Sequence, residues 1–401
     1  MESGSGSLEA LREANRLRVI DALRHEGSAS RTDLVRITGL SRTTITTLVG
    51  DLQARGLVIE DADGAERPEK PGRGRPPVLL RLAPSAGAAI GVDFGHRHLR
   101  VAIADLSSTV LAERRIEADV DAAAATSLDA AAELVEEVLR EAGVDRSHVV
   151  GAGMGLPGPI DRRTGTVGSS VILPDWAGLK AAEELAKRID VHVEVDNDAN
   201  LGALAEFSLG AGRGAQDLVY VKVSSGIGAG LVLGGRLHHG ATGIAGEIGH
   251  VQVRPDGAVC RCGNRGCLET VASGPALLTV LRPAHGEQLT VAGMLELAAA
   301  GDLGTHRVIN DAGRAIGRAL GDLCNSLNPA AIIVGGDLAA AGAPLLDGIR
   351  EAVDRYAQPG AANAVTVTRG VLGDRAEVLG ALTLVIADTE RLRSVGLAAL
   401  Q

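Results

Sequence analysis

The chain has 401 residues, of which 45% are hydrophobic and 22% are charged, which is typical of a globular protein with two or three domains. Its net charge of −10 argues against a protein that coats nucleic acid, but the excess lies beyond residue 82, since residues 1–82 hold 13 Lys and Arg against 12 Asp and Glu. Aromatic residues make up only 1%, which argues against an aromatic stacking platform for single-stranded nucleic acid. The sequence has no apolar run long enough for a membrane span and no apolar leader typical of a secretory signal, so we expect a cytoplasmic location.

Residues 1–82 are predicted to form a helix-turn-helix head. Apolar residues at helical spacing predict three helices, over residues 8–24, 31–38 and 42–56. Ser30 and Ser41 are suited to cap the second and third helices, Gly39 separates them, and Gly56 ends the last. In such a motif the helix after the turn enters the major groove of DNA.

Polar side chains cluster where the third helix begins, at Arg42, Thr43, Thr44 and Thr46. Their hydroxyl and guanidinium groups can contact phosphates or base edges, and threonine is a poor helix former, so its density here favours DNA binding. The alternative is a small three-helix packing module with solvated threonines.

We expect the protein to be a homodimer or homotetramer. Its operator should then be an inverted repeat, because operator symmetry mirrors protein symmetry.

The segment over residues 61–82 is predicted to be a wing or linker, preceded by a short strand over residues 57–60. Its Gly-Arg-Gly-Arg-Pro sequence contains Arg73 and Arg75. An extended, narrow, cationic segment fits the minor groove of A·T-rich DNA. The alternative is a flexible linker without a DNA contact.

Residues 83–401 are predicted to form an α/β body. Strands are expected at 88–95, 99–106, 109–116, 149–158, 191–200 and 217–235, and helices at 127–142, 179–188 and 201–208. Glycine-rich turns contain Asp93 and Gly95 after the first strand, and Gly226 and Gly228 near the last one. Such turns let backbone amides approach a phosphate, although each motif alone is a weak signal.

The strongest motif is a group of metal-ligating residues within 18 positions of one another, comprising His250, Cys260, Cys262 and Cys267. One imidazole and three thiolates form a closed tetrahedral set that is typical of structural zinc. The alternative, three unrelated buried thiols, does not explain the spacing. Cys324 stands apart and is expected to be a core thiol.

The chain resembles the ROK family (repressors, open reading frames and sugar kinases). The resemblance depends on DNDANLGALAE at 196–206, AGEIGH at 245–250, CRCGNRGCLE at 260–269 and a GGD loop at 335–337. It implies that residues 83–401 form a two-lobed, actin-like and hexokinase-like (ribonuclease H-like) body with a sugar in the cleft. Kinases of this family lack the head, which places the chain near sugar-responsive repressors.

Site residues implied by this resemblance are the sugar contacts Asn197, Asp198, Glu247, His250 and Glu269. Asp198 matches the general base of the kinases, and His250 matches a residue that binds zinc and also faces the sugar. Carboxylates and amides suit a polyol because they accept and donate paired hydrogen bonds. Helix capping is an alternative or additional role of Asn197 and Asp198.

The phosphate loops depart from the family pattern. The usual Asp-x-Gly-Gly-Thr-Lys reads Asp-Phe-Gly-His-Arg-His here, so that His96 replaces a glycine and the threonine is lost. The second loop reads Ser-Ser-Gly-Ile-Gly, and Ile172 stands where many kinases have an asparagine. These departures argue against ATP binding.

Three functions follow from these observations: a repressor gated by a sugar or sugar derivative, an active sugar kinase with an appended regulatory head, and a DNA-binding protein whose body serves only for dimerisation. The altered loops favour the repressor, and its targets would be genes of carbohydrate metabolism. The retained sugar-facing residues argue against a body without a ligand.

Overall fold

The structure is a computed structural model, and it describes residues 5–60, 78–83, 86–121, 123–168 and 172–387. The predicted minor-groove arginines Arg73 and Arg75 lie outside these residues. Within these ranges, no helix combines the length and the apolar character needed to cross a membrane.

The helices are α1 Ser5–Glu26, α2 Arg31–Thr38, α3 Arg42–Ala54, α4 Ala124–Ala142, α5 Ala181–Ile189, α6 Asp198–Leu209, α7 Glu269–Ala272, α8 Gly274–His285, α9 Val291–Ala299, α10 Leu303–Leu327, α11 Ala343–Tyr356, α12 Pro359–Ala364 and α13 Ala376–Ile386. The strands are β1 Ala29–Ser30, β2 Val58–Glu60, β3 Leu79–Leu82, β4 Ala88–Gly95, β5 His98–Asp105, β6 Val110–Glu117, β7 Val149–Leu156, β8 Ile160–Asp161, β9 Thr166–Val167, β10 Val193–Asn197, β11 Leu218–Val223, β12 Ile227–Leu233, β13 Arg236–Leu237, β14 Ala331–Gly335 and β15 Thr366–Arg369.

In the head, α2 and α3 begin at the capping residues that the sequence predicts. Ser30 and Asp33 make a reciprocal capping box at the start of α2, and Ser41 accepts the backbone N–H of Thr44 at the start of α3. Gly39 and Gly56 follow these helices with φ angles of +70° and +71°, which glycine adopts without strain. β3 pairs antiparallel with both β1 and β2, so the head has the strand pair of a wing.

The body consists of two lobes with closely similar sheets. The first sheet has the order β10-β7-β4-β5-β6 and the second has the order β13-β12-β11-β14-β15. In each sheet an antiparallel meander of three strands is extended by two parallel strands. The first lobe has its own apolar core, which contains Trp176, and the second has another, which contains Cys324.

Two helices form the layer between the sheets, with α13 on β4 and β7 and α6 on β11 and β12. Glycines let these layers approach closely. A Cβ atom on Gly380 of α13 would lie 2.0 Å from the carbonyl oxygen of Leu201 in α6, and one on Gly153 of β7 would lie 2.0 Å from that of Ala381. The two lobes are therefore joined by backbone-to-backbone contacts, and at these glycine positions there is no room for a side chain.

The predicted element order is observed, with three corrections. The expected strand over 217–235 is a hairpin, in which β11 and β12 pair antiparallel and Ser224, Ser225 and Gly226 form the turn. The helix predicted at 201–208 begins at Asp198, because Asn197 caps it. The third is a set of shifts of element ends by up to three residues: α1 and α4 begin three residues before the predicted starts at 8 and 127, and β10 ends three residues before the predicted end at 200. Cys324 is a buried core thiol as predicted.

Replacing Gly380 by Ala is expected to lower the free energy of unfolding by about 1–3 kcal/mol, because the added methyl group meets backbone that cannot move aside. Gly50→Ala in α3 is the matched control, since no atom lies within 4 Å of its Cβ position. Removing a helical glycine there should leave stability unchanged or raise it by up to about 1 kcal/mol. Chemical denaturation of both variants tests this, and equal midpoints would contradict the close packing described above.

Candidate functional site

A cavity of about 430 Å³ opens between the lobes, a size suited to a small ligand. The predicted sugar contacts Glu247 and His250 line it, together with Arg261 and the apolar side chains of Ile172 and Ile244. Ile172 thus stands at the cleft, consistent with its predicted place. The cavity wall is mostly apolar, with a few polar groups that can orient a ligand.

Asn197 and Asp198 hold the start of α6. The Asn197 Oδ1 accepts the backbone N–H groups of Ala199 and Asn200, at 2.9 and 3.4 Å, and its Nδ2 donates to the Gly158 carbonyl at 3.0 Å. The capping role of Asn197 is therefore realised, and one N–H of its amide has no partner among these contacts. Asp198 follows as the first residue of the helix and accepts the Ala199 N–H through Oδ1 at 2.7 Å.

Lys222 of β11 is the partner of Asp198. Its Nζ donates to the Asp198 Oδ2 at 2.9 Å and lies 3.0 Å from the Glu377 Oε1, where Glu377 is in the first turn of α13. Burial favours the neutral amine, but the attraction of Asp198, Glu377 and Asp93 outweighs it and raises the pKa of Lys222 well above its usual range. The ammonium is therefore charged at every physiological pH, and it balances three carboxylates.

Glu247 and Glu269 differ in how they are neutralised. Glu269 accepts two hydrogen bonds from the Arg261 guanidinium, at 2.8 and 2.9 Å, and the backbone N–H of Ile227 at 3.2 Å. Glu247 has its nearest basic group in the His250 Nε2, at 3.6 Å. Burial raises the pKa of Glu247, as do Asp198 and Glu269, and Arg261 opposes them. Of these two carboxylates, Glu247 is the one free to accept from a ligand hydroxyl.

The first glycine-rich turn is filled by a side chain of the chain itself. His98 Nε2 lies 2.9 Å from the Asp93 Oδ2, and a Cβ atom on Gly95 would lie only 2.1 Å from the His98 ring. His96, predicted to obstruct a phosphate, turns away and lies 2.7 Å from the Asp121 carboxylate. The space beside Gly95 is therefore filled by His98 and not by His96, which lies two residues earlier in the chain.

The second glycine-rich turn lies beside Glu269, one of the predicted sugar contacts, and beside the start of α6. A Cβ atom on Gly226 would lie 2.6 Å from the Glu269 Oε2, and one on Gly228 would lie 3.3 Å from the Ala199 Cβ. The Ser224 hydroxyl donates to Asp337 of the late GGD loop. This turn therefore contacts three segments: Glu269, which follows the cysteine-rich loop, the start of α6, and the GGD loop.

The predicted metal ligands meet at one point. The ligand atoms of His250, Cys260, Cys262 and Cys267 lie within 4.8 Å of one another, so that the four residues could hold a metal ion. The sulfur atoms of Cys262 and Cys267 are 3.7 Å apart, close to the ~3.8 Å that tetrahedral Zn–S bonds of 2.3 Å require. His250 directs Nδ1 to the Cys260 sulfur, at 3.5 Å, and Nε2 to Glu247. One imidazole therefore belongs to both the four-residue cluster and the lining of the cavity.

The predicted DNA contacts lie on the outer side of α3. Arg42, Thr43 and Thr46 are exposed and Thr44 is half-buried, whereas the apolar residues of α3 face the head's core. The Thr46 hydroxyl donates to the Arg42 carbonyl at 2.9 Å, and Thr44 and Ser41 share a hydrogen bond of 2.8 Å. Both hydroxyls still have lone pairs for a further partner, and the Arg42 side chain is exposed to solvent.

Sequence reasoning missed Lys222, Glu377, Arg261 and His98. Two of them carried a signal, because Lys222 interrupts the apolar strand LVYVKV and Glu377 is the single charge in the apolar helix AEVLGALTLVI. A charge in a buried segment requires a buried partner. The identity of that partner depends on the tertiary fold, so the pair could be suspected but not assigned.

Comparison with known proteins shows the family to which the chain belongs. The ROK family model matches residues 89–388, and the MarR family model matches residues 13–68. The chain belongs to the ROK family. It is 28% identical to a xylose repressor of Caldicellulosiruptor bescii over 96% of this chain and 98% of that protein. It is 33% identical to a glucokinase of Thermotoga maritima over 74% of this chain and 96% of that one.

A solved structure resembles the whole of this ROK protein, head included. It is a ROK family transcriptional regulator described as a homolog of the E. coli MLC protein, with 28% identity, a TM-score of 0.77 and coverage of 96% of this chain and 99% of that one. The glucokinase matches about three quarters of the chain, in line with a body that lacks the head. The predicted class, a DNA-binding ROK regulator with a winged head on a sugar-kinase-like body, is confirmed.

Replacing Lys222 by Met should destabilise the protein by about 3–5 kcal/mol at pH 8, because Asp198 and Glu377 are left buried without a cation. Burial raises the pKa of Glu377, as do Asp93 and Asp198, so its ionised form destabilises the fold above that raised pKa. As the pH falls, Glu377 takes up a proton and the deficit should shrink. The Lys222 contribution in the parent is fully present below the pKa of an unfolded lysine and is lost only as the pH rises through the raised value.

Urea unfolding of the parent and Lys222→Met over a series of pH values from 9 down to 5 measures this deficit. Lys180→Met is the control, since Lys180 pairs with Glu183 at an exposed position and its loss should have little effect at any of these pH values. A deficit that does not shrink anywhere in the series would show that Glu377 does not take up a proton as described.

Proposed function

We propose that the protein is a cytoplasmic repressor of carbohydrate genes whose body binds a neutral monosaccharide and transfers no phosphoryl group. The observation that carries this proposal is the state of two carboxylates on which a kinase would depend. Asp93 of the first phosphate loop is paired with His98, and Asp198, the base that the family resemblance implies, is paired with Lys222. Phosphoryl transfer needs a base free to receive the hydroxyl proton and room for the phosphate.

The charge around the cavity supports a neutral ligand. Asp93, Asp198, Glu269 and Glu377 each have a basic partner within this chain, whereas Glu247 has only His250 near it. A surplus carboxylate attracts hydroxyl donors and repels an anion. A neutral sugar fits this site better than a sugar phosphate, and the xylose repressor relative makes D-xylose the first candidate.

The head would bind an operator through the outer side of α3. Arg42, Thr43, Thr44 and Thr46 are proposed to contact phosphates and base edges, and two heads in a symmetric dimer or tetramer would read an inverted repeat. Arg73 and Arg75 are proposed to reach the minor groove beside it. The MarR-type head and the exposure of α3 support this assignment.

Zinc is proposed as the metal of the His250, Cys260, Cys262 and Cys267 cluster. Three sulfurs and one imidazole nitrogen are the ligand set of closed structural zinc sites, and bound zinc would stabilise the thiolates. Burial and the neighbouring thiols raise the pKa of Cys267 to about 12. The cation would also fix the His250 ring, whose other nitrogen faces Glu247.

An active kinase is the second candidate, because Asp198 is retained and the body is 33% identical to a glucokinase. Measuring ADP formation with ATP, Mg²⁺ and D-glucose or D-xylose distinguishes the two. The repressor proposal predicts no sugar-dependent ADP formation. Turnover in the range of ordinary kinases, about 1–100 per second, would overturn it.

Operator binding should respond to sugar through the cleft. With a duplex selected from a random pool by the full-length parent, saturating D-xylose should change the operator affinity by about 5–150-fold. Glu247→Ala should keep the operator affinity without sugar and lose this response. Arg42→Ala should weaken operator binding with and without sugar, since its side chain lies outside the cleft. A parent that binds no DNA selectively, or a Glu247→Ala protein that still responds fully, would refute the proposal.

Cys262→Ser should remove the metal and destabilise the second lobe, because one of four ligands is lost. Elemental analysis of the purified parent should find about one zinc per chain. Cys324→Ser is the matched control, as Cys324 is a buried thiol outside the cluster, and it should keep its zinc. Zinc-free parent protein, or equal zinc in Cys262→Ser, would contradict the assignment.

A further inference from the structure

The last described helix, α13, extends from the sugar cleft to the DNA-binding head. Glu377 in its first turn pairs with Lys222, and the carbonyl of its final residue, Ile386, accepts a hydrogen bond from the Arg24 guanidinium in α1. One apolar cluster contains residues from both helices, among them Val19 and Leu23 of α1 and Leu382, Val385 and Ile386 of α13. One element therefore contacts the cleft at one end and the head at the other.

The middle of α13 is packed too closely to bend. Gly380 faces the backbone of α6, and Gly153 and Gly91 of the first sheet face the carbonyls of Ala381 and Val378, at Cβ distances of 2.0 and 2.7 Å. Contacts between backbones resist small deformations, so α13 can shift only together with its neighbours. A displacement of its first turn would be carried to Ile386.

The first turn is held by a charge that also serves the sugar site. Lys222 Nζ lies 2.9 Å from the Asp198 Oδ2 and 3.0 Å from the Glu377 Oε1, and the side chains of Lys222, Asp198 and Glu377 are 18%, 14% and 7% exposed. A ligand hydroxyl that donates to Asp198 competes with the ammonium for the same carboxylate. A hydroxyl on Asp198 would weaken the attraction between that carboxylate and the ammonium, and the attraction of Glu377 for the ammonium would then be relatively stronger.

We propose that Lys222 and Glu377 form the switch by which sugar binding changes the position of the head. With the ligand hydroxyl on Asp198, Lys222 moves towards Glu377, the first turn of α13 follows, and the Ile386–Arg24 contact transmits the shift to α1. The inference rests on the proposed function, because it assumes that the cleft binds sugar and the head binds DNA. It adds a specific route, where a general closure of the lobes would need neither Glu377 nor Arg24.

The test compares operator affinity with and without saturating D-xylose, or D-glucose if only that sugar stabilises the parent thermally. Glu377→Gln removes the charge at the first turn of α13 and leaves every residue that lines the cavity in place. The sugar-induced change in operator affinity, about 5–150-fold in the parent, should fall below about twofold. Sugar binding itself, measured by calorimetry in the absence of DNA, should persist in this variant.

Glu206→Gln is the matched control. Glu206 is a fully buried carboxylate of α6 that accepts the backbone N–H groups of Ala211 and Leu372, at 2.8 and 2.9 Å, and it makes no contact with Lys222. This variant should keep the sugar response even if its melting temperature falls. If it loses the response as fully as Glu377→Gln, the effect is one of general loosening and the proposed route is wrong.

Arg24→Gln tests the other end of α13 and decides the matter if Glu377→Gln does not fold. It should also reduce the sugar response, and combining it with Glu377→Gln should cause no further loss, because both act on one element. A full response in either single variant, with a parent that responds, would overturn the route and leave the proposed function intact. A parent that binds sugar and operator without any coupling would refute both.

Discussion

The ion pairs of the Lys222 ammonium hold the carboxylates at the base of the cleft together. Three carboxylates from three elements face this ammonium, Asp93 of β4, Asp198 of α6 and Glu377 of α13. Without a cation, these groups could not all remain ionised at such depth. In a kinase a bound metal ion brings positive charge to the phosphate site. This chain has a permanent positive charge of its own at Lys222. Lys222 thereby joins both lobes and makes Asp198 an acceptor rather than a free base.

Two carboxylates near the cleft are also paired with basic side chains of the same chain. His98 pairs with Asp93 and Arg261 pairs with Glu269, so that side chains of the protein itself occupy carboxylate oxygens that could otherwise bind a ligand or a metal. Glu247 has only the His250 imidazole beside it, and that imidazole also belongs to the metal cluster. Among Asp93, Asp198, Glu247 and Glu269, Glu247 therefore has the weakest partner within the chain, and under the proposed function it is the first acceptor for a ligand hydroxyl, beside Asp198.

Local signals made much of the fold predictable. Caps such as Ser30 and Ser41 act within a few residues, and the spacing of the cysteines needs no knowledge of the tertiary structure. The hairpin within 217–235 was missed because its two strands are both apolar and buried, so periodicity continues through the turn. The sugar-facing residues came from the family resemblance, whereas Lys222 and Glu377 are 155 positions apart and only folding brings them together.

The first and last described helices, α1 and α13, lie in contact, which places the head beside a helix that also reaches the cleft. Arg24 and Ile386 are 362 positions apart and in contact, so the helix that ends the ROK match lies against the helix that begins the chain. That same helix lies between the two sheets, where its glycine contacts tie it to both lobes. A domain joined to the start of the body is therefore placed beside an element that contacts both lobes. Under the proposed route, coupling of the head to the cleft would need only the contact at the end of α13, provided that sugar binding shifts this helix.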